Sequence, residues 1–196
     1  MASKDTLALW GSGFGDDYML RNIHAGGNRA VFWDDIKERI GPNGSVLEVG
    51  CGSGANLSYL DVEYDSWGID VNRDSVYGAI SDTLANAVYG SAYDLPFKKG
   101  YFKMVFTSGV LIHQSPENGD LDIAMREIVR CSSDYVLSIE YEQEEFETIP
   151  YRGEVDALWK GPYSKLYREM GLTQLHTGQV SKEDGFDDCA WSLFRV

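Results

Sequence analysis

A short apolar run, Ser45-Val46-Leu47-Glu48-Val49, passes directly into Gly50-Cys51-Gly52-Ser53-Gly54-Ala55. A strand that ends in alternating glycines and leads into a helix opens its backbone N–H groups to a ligand, because no Cβ stands in the way. The string fits the dinucleotide pattern GxGxxG/A, and Asp70 follows Gly50 by 20 residues, where an acid ending a second strand receives ribose hydroxyls. Strand, loop, helix and acid together predict a nucleoside cofactor on an α/β sheet. Glycines that serve only a tight turn are the plainer alternative.

The rest of the chain supports a sheet of this kind. A helix is expected through Asn56 and Leu60, a strand over Ser66 to Val71, a helix near Arg73 to Asp82 and a short third strand over Ala87 to Gly90. Tyr101 to Ser108 reads as a buried fourth strand. Gly119-Asp120 opens a helix over Leu121 to Arg130, and Tyr135 to Glu140 is strand five. Leu172 to Gly178 and Cys189 to Arg195 form the last two strands. The turn SKEDGFDD between them is too short for a crossover helix, so this pair is expected to be antiparallel. Val31, Phe32, Ile36 and Ile40 mark one face of a helix from Asn28 to Ile40. With 196 residues the chain has room for a single domain, read as an N-terminal helical lid over 1–44 and a core over 45–196. Residues 140–156 carry seven carboxylates against one Arg and read as a solvated loop.

Charge and length exclude several functions. The net charge of −14 repels phosphate backbones, so nucleic acid is not an expected partner. The longest stretch without Asp, Glu, Lys or Arg, Met104 to Pro116, is 13 residues, against the ~18 needed to span a bilayer. The opening MASKDTLALWGSG lacks a basic start and a sustained apolar stretch, so a cytoplasmic protein is expected. Cys51, Cys131 and Cys189 are widely spaced and odd in number, which fits buried thiols better than a disulfide framework or a metal site.

Glu48 to Gly54 as ExGxGxG, the GID ending in Asp70, and GSAYDLPF from Gly90 to Phe97 resemble, in order and spacing, the class I S-adenosylmethionine-dependent methyltransferases. The resemblance covers residues 45–196. It implies a Rossmann-like, seven-stranded, mostly parallel sheet with an antiparallel last strand and helices on both faces, and S-adenosylmethionine as cofactor with no metal. A narrower resemblance runs through FGDDYMLRN (Phe14 to Asn22), GVLIHQSP (Gly109 to Pro116), EIVRCSSDYVLSIEY (Glu127 to Tyr141) and IPYRG (Ile149 to Gly153). These segments look like the methylases associated with pseudaminic acid biosynthesis, which implies a sugar-related acceptor. That family tends to carry paired tyrosines and prolines after strand five, where this chain has Glu140-Tyr141-Glu142-Gln143-Glu144-Glu145.

Residue by residue, the methyltransferase pattern implies that Gly50 and Gly52 face the methionine part of the cofactor and Asp70 holds the ribose hydroxyls. Val71 flanks adenine, and Ser91 with Ala92 contacts the adenine edge. Ser108 offers backbone groups beside the sulfonium, while Tyr18, Arg21 and Asn22 close over the cofactor carboxylate.

On the acceptor side, His113 lies just past strand four at the cofactor edge and is a candidate general base; a histidine bonded to the loop backbone is the equal alternative. Glu140 ends strand five, where open α/β sheets place ligands, and is a second candidate for the acceptor proton. Tyr141, Tyr151 and Arg152 follow, and an Arg fork between aromatics suits an anionic acceptor, although Arg152 could equally neutralise the acidic loop. Trp10, Phe14 and Trp33 are candidate pocket walls or core residues. The expected function is methyl transfer to a small polar metabolite, a sugar or sugar-acid derivative. A nicotinamide-dependent reductase and a non-catalytic cofactor-binding regulator are the rivals.

Overall fold

The computed structural model describes residues 6–22, 29–152 and 157–196, without the side chains of residues 19–22. In chain order the helices are α1 (Thr6–Trp10), α2 (Gly13–Asn22), α3 (Ala30–Ile40), α4 (Arg73–Asp82), α5 (Asp120–Cys131) and α6 (Tyr163–Glu169). The strands are β1 (Ser45–Val49), β2 (Asp65–Asp70), β3 (Asn86–Tyr89), β4 (Phe102–Ser108), β5 (Ser132–Glu140), β6 (Glu147–Thr148), β7 (Trp159–Lys160), β8 (Thr173–Val180) and β9 (Cys189–Arg195).

Seven strands form one sheet in the order β3-β2-β1-β4-β5-β9-β8. The first five are parallel, and β9 runs antiparallel to both β5 and β8, as the short connection between the last two strands requires. The Rossmann-like class I methyltransferase fold expected from the sequence is the fold observed. Strand order reverses between β1 and β4, so the loops after these strands diverge and open a crevice at their carboxyl ends.

Alternate residues of the central strands feed two cores. Val46, Met104, Phe106 and Leu137 pack under α3, through Phe32, Trp33, Ile36 and Ile40. Leu47, Val105, Val136 and Phe194 pack on the opposite face under Leu121, Met125 and Ile128 of α5 and Tyr163 and Tyr167 of α6. Trp33 is fully buried, edge-on to Phe106 at 5.0 Å. It is a core residue and not a pocket wall, and α3 is part of the core and not of a lid. Burial of one such side chain is worth about 1.5–3 kcal/mol, which a mobile lid would forgo.

Several local expectations are corrected. The helix expected through Asn56 and Leu60 is one 3-10 turn, Leu57–Tyr59. Ser58 Oγ donates to Ala55 O, a carbonyl that a longer helix would need for its own N–H groups. The acid-rich loop is more regular than expected, because it contains β6, paired antiparallel to β7, while Glu142, Glu144, Glu145 and Glu147 are exposed as expected. Helix α6 was not foreseen. It follows Pro162 at its N-cap and buries Tyr163 and Tyr167, four residues apart on one face. Among the described residues, no helix is long and apolar enough to cross a membrane.

Candidate active site

Two cavities open side by side at the carboxyl edge of the sheet. The first, about 120 Å³, is lined by Trp10, Tyr18, Asp70, Val71, Ala92 and Gln114 among others. The second, about 480 Å³, is lined by Arg29, Glu48, Asn56, Tyr141, Tyr151, Lys182 and Asp187 among others. Both are bounded by Tyr18, Gly50, Gly52, Ser75, Ser108, Gly109 and His113, so they meet at the mouth of β1 and β4.

The glycine loop has the geometry its sequence predicts. Gly50 has φ +72°, and a Cβ there would lie 2.5 Å from Val110 Cγ2. Gly52 has φ +52°, and its missing Cβ would point into open space. Asp70 Oδ2 accepts from Gly52 N–H at 2.9 Å and Oδ1 from Asn72 N–H at 2.8 Å, which locks the loop to the end of β2. Burial raises the Asp70 pKa, and these backbone donors oppose the rise. Val71 and Ala92 line the first cavity. Ser91 does not line it: its hydroxyl accepts from Tyr93 N–H at 3.1 Å and shapes the turn instead. That turn is pinned to α5, where Glu127 accepts from Leu95 N–H and Arg130 donates to the carbonyls of Leu95 and Phe97. Ser108 lines both cavities.

The N-terminal helices close the first cavity. Asp16 accepts from the Asn72 amide at 2.7 Å, and Trp10 lies 4.5 Å from the His113 ring. Tyr18 is 38% exposed, yet its phenol is pushed up to about 12 by burial and by nearby Tyr151 and Asp187. Arg21 and Asn22 end α2, and their side chains lie outside the described residues. Trp10, Phe14, Tyr151 and His113 form a closed circuit of ring contacts, at 5.3, 6.0, 5.5 and 4.5 Å in turn.

His113 is buried in a 3-10 turn after β4, and its Nδ1 lies 2.6 Å from Ala157 O. A carbonyl only accepts, so Nδ1 carries the proton and Nε2 is left with a lone pair. Burial lowers its pKa to about 4, and the ring is neutral at ordinary pH.

Two acceptor-side expectations fail on geometry. Glu140 is 1% exposed and lines neither cavity; its carboxylate accepts from the N–H groups of Val110, Leu111 and Ile112 at 3.2, 3.2 and 3.3 Å. It therefore secures the turn that carries His113 and offers nothing to an acceptor. Arg152 is exposed at φ +51°, against its own neighbour Tyr151, and lines neither cavity.

The guanidinium that does line the second cavity is that of Arg29. Its Nε donates to Gly185 O at 2.8 Å, its Nη1 donates to Asn56 Oδ1 at 2.6 Å, and its plane lies 4.4 Å over the Phe186 ring. Asn56 Nδ2 donates in turn to Glu48 Oε1 at 2.6 Å, while Glu48 Oε2 is buried with no hydrogen-bond partner among the described residues. Burial pushes Glu48 up to about 8. Across the cavity Tyr141 is pushed upward by burial and by the Asp187 carboxylate, to which it hydrogen-bonds. Sequence reasoning missed Arg29, Glu48, Asn56, Lys182 and Asp187 as site residues. Only Arg29 left a signal, since a cation capping a helix N-terminus opposes the helix dipole and has to be held by something else.

Part of the chain matches a known domain family. Residues 47–134 fit the model of the methyltransferase domain family. The fold is similar to the 1,6-didemethyltoxoflavin-N1-methyltransferase of Burkholderia thailandensis, solved with 1,6-didemethyltoxoflavin and S-adenosylhomocysteine (14% identity, 100% of this chain, 90% of that one, TM-score 0.77). It is similar also to the magnesium protoporphyrin IX methyltransferase of Synechocystis PCC 6803, solved with S-adenosylmethionine (14% identity, 100% and 99% covered, TM-score 0.71). A SAM-dependent methyltransferase of Methanosarcina mazei aligns at 15% identity over 82% of this chain and 96% of its own, with a TM-score of 0.67. Residues 47–134 thus match the methyltransferase domain family, within a sheet that has the class I methyltransferase fold.

Proposed function

We infer that the protein transfers a methyl group from S-adenosylmethionine to a small polar acceptor, a sugar or sugar-acid derivative. The observation that carries this reading is the meeting of a narrow, largely apolar cavity with a wide polar one along Gly50, Gly52, Ser108 and His113. Such a pair suits two ligands whose reacting ends touch. The cofactor fits the residues present: Gly52 leaves open the space a Cβ would fill, and Asp70 offers a carboxylate at the rim. When bound, S-adenosylmethionine supplies an electrophilic methyl group on a sulfonium.

The chain's own residues then position and polarise. Asp70 binds ribose hydroxyls, Val71 and Ala92 flank the base, and Tyr18 on α2 helps α1 and α2 to close the cavity as a lid. His113 Nε2 accepts a hydrogen bond from the nucleophile's hydroxyl or amine, and Tyr141 and Tyr151 wall the acceptor. The two neighbours with stated acceptors act on small molecules, which supports a small-molecule acceptor here; the sugar class rests on the resemblance to pseudaminic acid-associated methylases. Calorimetric titration tests the cofactor half of this reading. S-adenosylmethionine and S-adenosylhomocysteine bind, NADH does not, and Asp70→Ala loses roughly 1.5–3 kcal/mol of S-adenosylhomocysteine affinity. Binding of NADH alone would overturn the reading.

A further inference from the structure

A third cavity, about 440 Å³, lies beyond the acceptor side, between the segment after β5, the β6–β7 pair and the β8–β9 connection. It shares Tyr141, Lys182 and Asp187 with the acceptor cavity, so the two are continuous at that wall. Its far side is furnished by Lys160, Gln143 and Gln179.

We propose that this cavity is a second acceptor subsite, which takes a hydroxyl-rich moiety bearing a carboxylate or phosphate group. The proposal rests on the methyl-transfer reading above for the identity of the first subsite, and it deepens that reading by making the acceptor a two-part molecule. Side-chain amides both donate to and accept from hydroxyl groups, the pairing a polyol needs. The acidic group is called for by the lysines. In a chain of net charge −14, two ammonium groups border one cavity, and neither forms a salt bridge among the described residues.

The carboxylates at the same cavity are largely committed elsewhere. Glu142 accepts from Ser164 Oγ at 2.6 Å and from Ser164 N–H at 3.2 Å, and Asp187 is hydrogen-bonded to Tyr141. Asp188 has no such bond among the described residues, and bonds from neutral donors leave all three charges in place, so the lining offers carboxylates that can accept from ligand hydroxyls beside two unpaired ammonium groups that can take the acidic group. An ammonium is a compact point charge that serves a carboxylate or a phosphate equally.

The test titrates the protein with glucuronic acid, glucose 1-phosphate and methyl glucoside, with and without saturating S-adenosylhomocysteine. The two acidic sugars are expected to bind more tightly than methyl glucoside, and the order between them tells whether carboxylate or phosphate is preferred. Lys160 lines only this cavity, so Lys160→Ala should weaken both acidic probes roughly tenfold, leave methyl glucoside unchanged and leave S-adenosylhomocysteine affinity intact, while Lys160→Arg restores binding. Equal binding of all three sugars, no binding of any at about 10 mM, or acidic-probe binding indifferent to Lys160→Ala would each overturn the subsite. Probe binding without any S-adenosylhomocysteine binding would overturn the transfer reading and uphold the subsite.

Discussion

Arg29 Nη1 donates to Asn56 Oδ1 at 2.6 Å, so a guanidinium from the start of α3 is joined through one amide to Glu48 on the floor of the acceptor cavity. The same guanidinium holds Gly185 O, which ties the β8–β9 connection to the glycine loop. Arg29→Lys keeps the charge but loses the planar fork that reaches both partners. Arg29→Lys and Arg29→Ala should therefore both weaken S-adenosylhomocysteine binding, by ~1–2 kcal/mol on calorimetry. Full rescue by Lys would mean that only the charge matters.

The two buried carboxylates set a pH dependence of stability. Glu48, pushed up to about 8, and Glu140, pushed up to about 7, keep protons in the folded chain at pH values where the unfolded chain, with an ordinary value of 4.5, has lost them. Between pH 4 and 6.5 His113 acts in the opposite sense, since its pKa is lowered from 6.5 to about 4 and the unfolded chain binds the extra proton. Above pH 6.5 that opposition ends, and stability should fall by ~1–2 kcal/mol up to pH 8. Urea unfolding at several pH values reads this directly. Glu48→Gln and Glu140→Gln should each flatten the fall, and a rise in stability over that interval would contradict the assignment.

Gly50 and Gly52 both have positive φ but predict different outcomes. A Cβ on Gly50 runs into Val110, whereas one on Gly52 enters only open space. Gly50→Ala should lower the melting temperature as well as ligand affinity. Gly52→Ala should retain a folded chain, at a cost of ~1–2 kcal/mol for its left-handed backbone, and lose S-adenosylhomocysteine binding. Equal affinity of Gly52→Ala and the wild type would mean that the ligand does not approach this backbone.

The parts of this site written in local pattern were legible before the structure. β1, the glycine loop, Asp70, α4 and the antiparallel last pair all follow from strand length, turn residues and fixed spacing. The parts built by long-range contact were not. Arg29 reaches Gly185 across 156 residues, and its one local sign, a cation at a helix start, names no partner, whereas Arg152 sits among aromatics in sequence yet lines neither cavity. Glu140 stands at the strand end where ligands are expected, but three backbone N–H groups of the neighbouring loop take up its carboxylate. Lys182 and Asp187 looked like ordinary turn residues, because only the return of β9 beside β5 brings their loop against Tyr141.

His113 should act as a hydrogen-bond acceptor that is neutral throughout the physiological range. Its ring is fixed by Ala157 O, and its pKa is held at about 4 by burial. The pH–rate profile should show no limb near pH 6.5 from this residue. His113→Asn should lower kcat by ~10²-fold or more if the acceptor must lose a proton, with cofactor affinity kept. A limb near pH 6.5 that vanishes in His113→Asn would show an exposed, ordinary histidine and contradict the buried geometry.

The most direct test of methyl transfer across the Gly50–Ser108 junction is incubation of the protein with methyl-labelled S-adenosylmethionine and a metabolite extract, followed by identification of labelled products by mass. The account predicts a labelled, low-mass, polyhydroxylated product whose yield collapses in Asp70→Ala. Label that stays on the cofactor in every fraction, although S-adenosylhomocysteine binds, would show a binding protein without transfer and contradict the account.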